Sequence, residues 1–200
     1  MAIITKLEVV NACLDTMGES PLNAIDEDHP YVAAALNKLA SCNTLEQAPG
    51  YWFNSELSTL KPDPNTGYIY IPADAINVDA GDNRIIARGR RLYDRYNGTY
   101  DMRTLVSGSV QVFLVREVPF EDLPMLAQHV ISARTQLDFQ ESFDGDSQKY
   151  NKLGGAYQRA YVTLKAENIR NQRTNMFNTP SIQQKLRLIQ PMSRFARRRW

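Results

Sequence analysis

At 200 residues and 22.8 kDa, with 43% hydrophobic residues, the chain can bury a core as one domain or two joined halves, which excludes a disordered chain. No apolar run approaches the roughly 20 residues that span a bilayer, and Met1-Ala2-Ile3-Ile4-Thr5-Lys6 lacks the basic-then-apolar order of a signal peptide, so synthesis in a cytoplasm and no membrane partner are expected. The net charge of +1 conceals an asymmetry: beyond Glu167 there are eight basic residues and no acidic one, while the remainder holds 15 basic against 22 acidic residues, so an acidic body carries a basic arm.

In chain order, Thr5 with Glu8 has the form of a capping box, and Leu7, Val10, Leu14 and Met17 keep helical spacing until Gly18 offers a left-handed cap. His29-Pro30, preceded by Asp26-Glu27-Asp28, opens a second helix with Val32, Leu36, Leu39 and Leu45 on its buried stripe and Pro49-Gly50 closing it. From Gly50 to Val118 the grammar changes to short β-branched and aromatic runs cut by Pro, Asn and Gly. Strands are predicted over Tyr51 to Leu60, Tyr68 to Ile71, Ile85 to Ala87, Arg91 to Asp94, Tyr100 to Met102 and Val110 to Val115, the last central, with Asn97-Gly98 the sharpest hairpin signal. After Pro119 helical spacing resumes with Leu123, Ala127, Val130, Arg134 and Leu137 up to Asp144-Gly145-Asp146. Asp146 or Ser147 then caps a fourth helix along Tyr150, Leu153, Tyr157, Tyr161 and Leu164, which fades near Arg170.

The expected fold class is α+β and mainly α: a four-helix bundle-like domain with a β-rich insertion between helices 2 and 3 and an extended basic C-terminal arm. The corresponding boundaries are 1–49 with 119–170 for a discontinuous helical domain, 50–118 for the insertion and 171–200 for the arm.

Little in the sequence points to catalysis. There is no GxSxG elbow, no Walker or Rossmann glycine pattern, and Cys13 and Cys42 read as buried free thiols outside any CxxC pair. A zinc site would require both Cys and both His to converge from three helices, so no metal and no cofactor are expected. Glycoside hydrolysis needs two carboxylates across a cleft, and Glu117, Glu121, Asp122, Asp138 and Glu141 are available, so a polysaccharide-degrading hydrolase is the alternative reading. Tyr51, Trp52, Tyr68, Tyr70, Tyr93, Tyr96 and Tyr100 suit either a sugar platform or strand-pair packing, the commoner use. Arg84, Arg88, Arg90, Arg91, Arg95 and Arg103 form either a solvated face paired with Asp79, Asp82, Asp94 and Asp101, or a lining for phosphate or an acidic partner. At the C-terminus, Arg194-Phe195-Ala196-Arg197-Arg198-Arg199-Trp200 joins bidentate donors to two aromatics, residue types enriched in interface hot spots and nucleic-acid contacts.

Four strings occur in register: Leu14-Asp15-Thr16-Met17-Gly18-Glu19-Ser20-Pro21-Leu22, Leu36-Asn37-Lys38, Gly50-Tyr51-Trp52-Phe53-Asn54 and Arg88-Gly89-Arg90-Arg91-Leu92-Tyr93-Asp94-Arg95. In order and spacing, over roughly Thr5 to Arg170, the chain resembles the tail tubular protein A family of short-tailed bacteriophages. The resemblance implies a non-enzymatic virion protein, the head-to-tail adaptor. Twelve copies would form a ring beneath the dodecameric portal, with the nozzle, tail tubular protein B, docked below and genomic DNA passing through the channel on ejection. It also implies that Arg88, Arg90, Arg91, Arg95, Asn97 and Gly98 of the insertion face the nozzle, a neighbouring copy or the channel. The basic end from Lys185 to Trp200 has no counterpart in the family pattern. Lys185, Arg187, Arg194, Phe195, Arg197, Arg198, Arg199 and Trp200 are assigned contact with portal or DNA, as an arm that orders on docking.

Overall fold

The computed structural model describes residues 4–25, 29–103 and 108–172. Helix α1 (Lys6–Met17) starts at the expected capping box, where the Thr5 hydroxyl accepts from the Glu8 N–H and the Glu8 carboxylate accepts from the Thr5 N–H at 2.7 Å. It ends at Gly18 in the left-handed conformation, φ 78°. Helix α2 (Val32–Gln47) buries Val32, Ala35, Leu39, Cys42, Asn43 and Gln47. Leu45, expected on that stripe, is instead 65% exposed, because at 100° per residue it lies about 120° round the helix from Leu39, beyond the edge of the buried stripe. The acidic run Asp26-Glu27-Asp28 lies outside the described residues.

The chain then builds strands β1 (Ser55–Leu60), β2 (Ala75–Asp79), β3 (Ile85–Arg88), β4 (Arg91–Asp94) and β5 (Val110–Arg116), a 3-10 turn at Phe120–Asp122, and helices α3 (Met125–Phe143) and α4 (Ser147–Asn171). The architecture is α+β. As expected for its run of β-branched residues, β5 is central: it pairs antiparallel with β1 on one side and β2 on the other, while β3 and β4 form a separate hairpin. Helix α3 packs on α1, α2 and α4 and buries side chains round most of its circumference, among them Val130, Ile131, Leu137 and Phe139. Asp146 caps α4 by accepting from Gln148 and Lys149 N–H, one of the two expected caps. The strands bury a cluster of their own, Ile69, Ile71, Ile85, Leu92, Met102, Val110, Val112 and Leu114.

Four strand expectations are corrected. Tyr51 to Asn54 is a turn rather than the start of a strand, since the Asn54 side chain accepts from Tyr51 N–H at 2.7 Å and folds the backbone on itself. Tyr68 to Ile71 makes only an isolated bridge, Tyr70 with Arg91, although Leu92 N–H donates to Ile69 O and Ile71 N–H to Arg90 O. Tyr100 to Met102 is irregular, and Met102 is buried through its N–H bond to Gly67 O. Asn97-Gly98 belongs to a four-residue loop closed by Asp94 and Thr99, because the Asp94 carboxylate collects the Tyr96 and Asn97 N–H groups and opens the turn earlier. Strand β2, which the sequence does not suggest, is a half-exposed edge with a register shift between Ala75 and Asn77.

Where the insertion meets the helices, side-chain amides clasp both crossings of the backbone. Gln47, 1% exposed, accepts from Val118 N–H and donates to Val118 O, each at 2.9 Å, and donates to Asn43 Oδ1. Asn54 donates to Gln47 O and Arg116 O, and Asn168 on α4 accepts from Trp52 N–H at 3.0 Å.

Gly67 has φ 72°, and a Cβ there would lie 2.1 Å from Asp101 Oδ1 and 2.8 Å from Arg103 Nε. Gly67→Ala is therefore expected to combine left-handed strain with a collision, lowering stability by about 2 kcal/mol. A urea midpoint equal to wild type would contradict this.

Candidate interaction surface

The local sequence Ile85 to Thr99 folds into the hairpin that carries most of the unneutralised positive charge of the strand-rich segment. Ile85 pairs with Asp94, Ile86 with Tyr93, Ala87 with Leu92 and Arg88 with Arg91, so β3 and β4 are joined by a two-residue turn, Gly89-Arg90. Gly89 has φ 62°, the left-handed value a tight hairpin demands of one residue. Alternation then sends Ile85, Leu92 and Asp94 inward, and Arg91 and Tyr93 to the opposite face.

On that outer face, rings hold guanidinium groups. Arg88 Cζ stands 4.4 Å from the Tyr93 ring centroid, and Arg91 Cζ stands 4.5 Å from that of Tyr100 and 5.0 Å from that of Tyr68. Tyr93 meets Tyr100 edge-on at 4.9 Å, Tyr68 meets Tyr100 at 6.1 Å, and Tyr70 extends the row, 54% exposed. A guanidinium over a ring keeps its rim of N–H donors turned away from the ring and has fewer rotamers to lose on binding. Arg90 reaches back from the turn to Pro72 O at 3.0 Å.

At the other end of the hairpin, Asp94 is the local hub. Its carboxylate, 2% exposed, accepts from Arg84 Nε at 2.9 Å and Nη2 at 2.6 Å, from Tyr96 and Asn97 N–H, and from Asn97 Nδ2. The Arg84 guanidinium, aided by those donors, lowers the Asp94 pKa from 3.8 to about 2.

The six insertion residues singled out by sequence are thus split. Arg88, Arg90 and Arg91 gather at the tip, whereas Arg95, Asn97 and Gly98 sit in the loop at the base, a four-residue strand away. The expected charge pairing is also divided. Arg84 pairs with Asp94 and Arg103 with Asp101, but Asp79 and Asp82 accept from the backbone N–H groups of Gly81 and Arg84. Among the described residues, no ion pair involves Arg88, Arg90, Arg91 or Arg95. Lys185, Arg187, Arg194, Phe195, Arg197, Arg198, Arg199 and Trp200 lie outside the described residues.

A second exposed feature has a sequence signal only in hindsight. Leu57 and Phe113, 60% and 57% exposed, are cross-strand partners on the outer face of the three-stranded sheet, where Ser55, Leu57 and Thr59 alternate with inward residues. The helical part carries a polar network that sequence reasoning missed. Glu46 accepts from the Tyr157 hydroxyl at 2.8 Å, with its pKa raised by burial, and Arg134 pairs with Asp138, which accepts from the Cys42 thiol. Cys13 and Cys42 are free and buried, as expected, and burial pushes their thiols up to about 12 and about 11.

The candidate carboxylates are dispersed. Glu117 accepts from Thr44 and Asn43, Glu121 pairs with Lys6 at 2.7 Å, Asp138 with Arg134, and Asp122 and Glu141 are exposed. Glu117 and Glu121 both line a cavity of about 410 Å³ between α1, α2 and the 3-10 turn. The Lys6 ammonium lowers the Glu121 pKa, the wrong direction for a proton donor to a leaving group. Among the described residues no group of three or more His, Cys, Asp or Glu is placed to hold a metal, and no helix is long and apolar enough to cross a membrane.

Against known proteins, the profile of the family described as tail tubular protein matches residues 7–192. The chain is also similar to tail tubular protein A of Klebsiella phage KP34, at 28% identity over 177 residues, which cover 87% of this chain and 92% of that one.

Proposed function

Because the chain belongs to the tail tubular protein family and is a structural component of the phage tail, we propose that it is the head-to-tail adaptor. Twelve copies form a ring that seats on the portal, receives the nozzle beneath it and lines the DNA channel. In this reading residues 1–49 and 119–170 act as a helical domain that builds the ring, residues 50–118 act as a docking module, and residues 171–200 reach portal or DNA. The arm would bring the seven basic residues from Arg173 to Arg199 per copy to a phosphate-rich channel or an acidic portal surface.

The observation that carries the proposal is the Arg88–Arg91 fingertip. A hairpin presents three guanidinium groups, two of them held over tyrosine rings, and no ion pair of the described residues reaches any of the three. Such a surface suits docking between proteins, where tyrosine and arginine carry much of the binding energy, and no reaction is required of it.

Electron microscopy of purified virions tests the reading. A twelvefold ring between portal and nozzle that fits this fold is the expected result; density for the chain elsewhere along the tail, or a ring of different symmetry, overturns it.

A further inference from the structure

The proposed function leaves open what the fingertip grips. We infer that Arg88, Arg90 and Arg91 of one copy dock on the acidic C-terminal end of α1 in the next copy. The inference rests on the ring reading, since it names two surfaces of adjacent copies that meet.

Charge complementarity carries it. Residues 1–49 hold seven acidic residues against Lys6 and Lys38 alone. Asp15 and Glu19, four residues apart and both exposed, stand at the end of α1, whose last turn holds no basic residue. The helix dipole adds negative potential at that end. Lys149 donates to Thr16 O at 3.0 Å and pairs with Asp144 at 2.7 Å, which brings the α3–α4 loop with Asp144 and Asp146 alongside. One described lysine thus stands among four carboxylates at this pole, and no ion pair of the described residues reaches Asp15 or Glu19.

The fingertip is the converse, three guanidiniums that no ion pair of the described residues reaches, with only the more distant charge of Asp74, itself paired with Arg116, acting on Arg90. Each copy carries one basic and one acidic pole on different elements, so the contact is heterologous: the basic pole of one copy meets the acidic pole of its neighbour, and repetition closes a ring when the rotation allows. Duplex DNA is the lesser fit, because phosphate contacts would leave the exposed ring of Tyr70 beside the arginines without use.

The test is a charge swap, with variants supplied in trans to a phage whose own copy is disrupted. Arg88→Glu with Arg90→Glu leaves Arg91 on its rings, and Asp15→Arg with Glu19→Arg places cations where the helix dipole favours them, so both variants should fold; thermal melts and circular dichroism verify this. Each reversal is expected to reduce ring-bearing particles roughly tenfold or more, since opposed like charges across an interface cost several kcal/mol. The fourfold variant, with the charges exchanged, should recover most of the loss. Two results overturn the inference while sparing the ring: fingertip reversal that leaves ring-bearing particles unchanged, or a fourfold variant that recovers nothing. Rings that assemble normally but lose the nozzle or leak DNA also overturn it, by assigning the fingertip to those partners. Wild-type particles without any ring would remove both readings together.

Discussion

Asp94→Ala is expected to lower the stability of the folded chain by about 3 kcal/mol, and to do so by loosening the β3–β4 hairpin. The carboxylate receives five hydrogen bonds, two from Arg84, two from backbone N–H groups of the base loop and one from Asn97. Removing it leaves a half-buried guanidinium and two backbone donors without their acceptor, and breaking one side of a buried charged pair costs more than the pair is worth when intact. Hydrogen exchange should rise at Tyr96, Asn97 and Thr99 before it rises in α3. Arg84→Ala should do less, because Asp94 keeps the three donors from Tyr96 and Asn97. The sign of the pH dependence follows from the same contacts. The folded pKa of about 2 lies below the ordinary aspartate value of 3.8, so the contribution is complete above about pH 4 and is lost as pH falls toward 2. Asp101, drawn down to about 2 by Arg103, acts over the same window. In Asp94→Asn the hairpin should lose most of that acid sensitivity, and an unchanged acid transition would mean that other carboxylates govern it.

The helices were legible because their signals are local. Thr5 with Glu8, Gly18, and Asp146 each announce a helix end through groups a few residues apart, and the structure uses all of them. The central strand was legible for a different reason: from Val110 to Val115 apolar Val110, Val112 and Leu114 alternate with Gln111 and Phe113, the period of a strand with one buried face. What escaped depends on partners distant in sequence. Tyr68 to Ile71 has strand composition, yet only Ile69 and Ile71 hydrogen-bond to the β3–β4 hairpin, on either side of the Tyr70–Arg91 bridge, and no ladder forms. The true two-residue turn, Gly89-Arg90, was overshadowed by Asn97-Gly98, whose propensity was overruled by a carboxylate three residues upstream. At the candidate surface the arginines were visible as a cluster, but a linear string cannot tell which ones will find a carboxylate. The answer lay in the fold, where Arg84 and Arg103 were neutralised and Arg88 and Arg91 were placed on rings.

Gln47→Ala should cost about 3 kcal/mol and, unlike Asp94→Ala, should act on the joint between the helices and the strands. Gln47 is almost fully buried, and its amide satisfies both the N–H and the C=O of Val118, the residue that leads out of β5 toward α3. Alanine leaves the Val118 N–H and Asn43 Oδ1 without their Gln47 partner and Val118 O with Asn43 Nδ2 alone, at 3.2 Å, and adds a cavity. Gln47→Leu separates the two costs, since leucine fills much of the volume but offers no hydrogen bond. If polar pairing dominates, Gln47→Leu should lose nearly as much stability as Gln47→Ala; near-wild-type stability in Gln47→Leu would reduce the residue to a space filler. The strands have their own buried cluster and the helices theirs, so weakening this clasp should also separate their unfolding. The urea transition is then expected to broaden, or its m-value to fall, while Asp94→Ala leaves a single transition. Because the orientation of the hairpin relative to α1 passes through this joint, Gln47→Ala should reduce ring assembly even at temperatures where the chain remains folded.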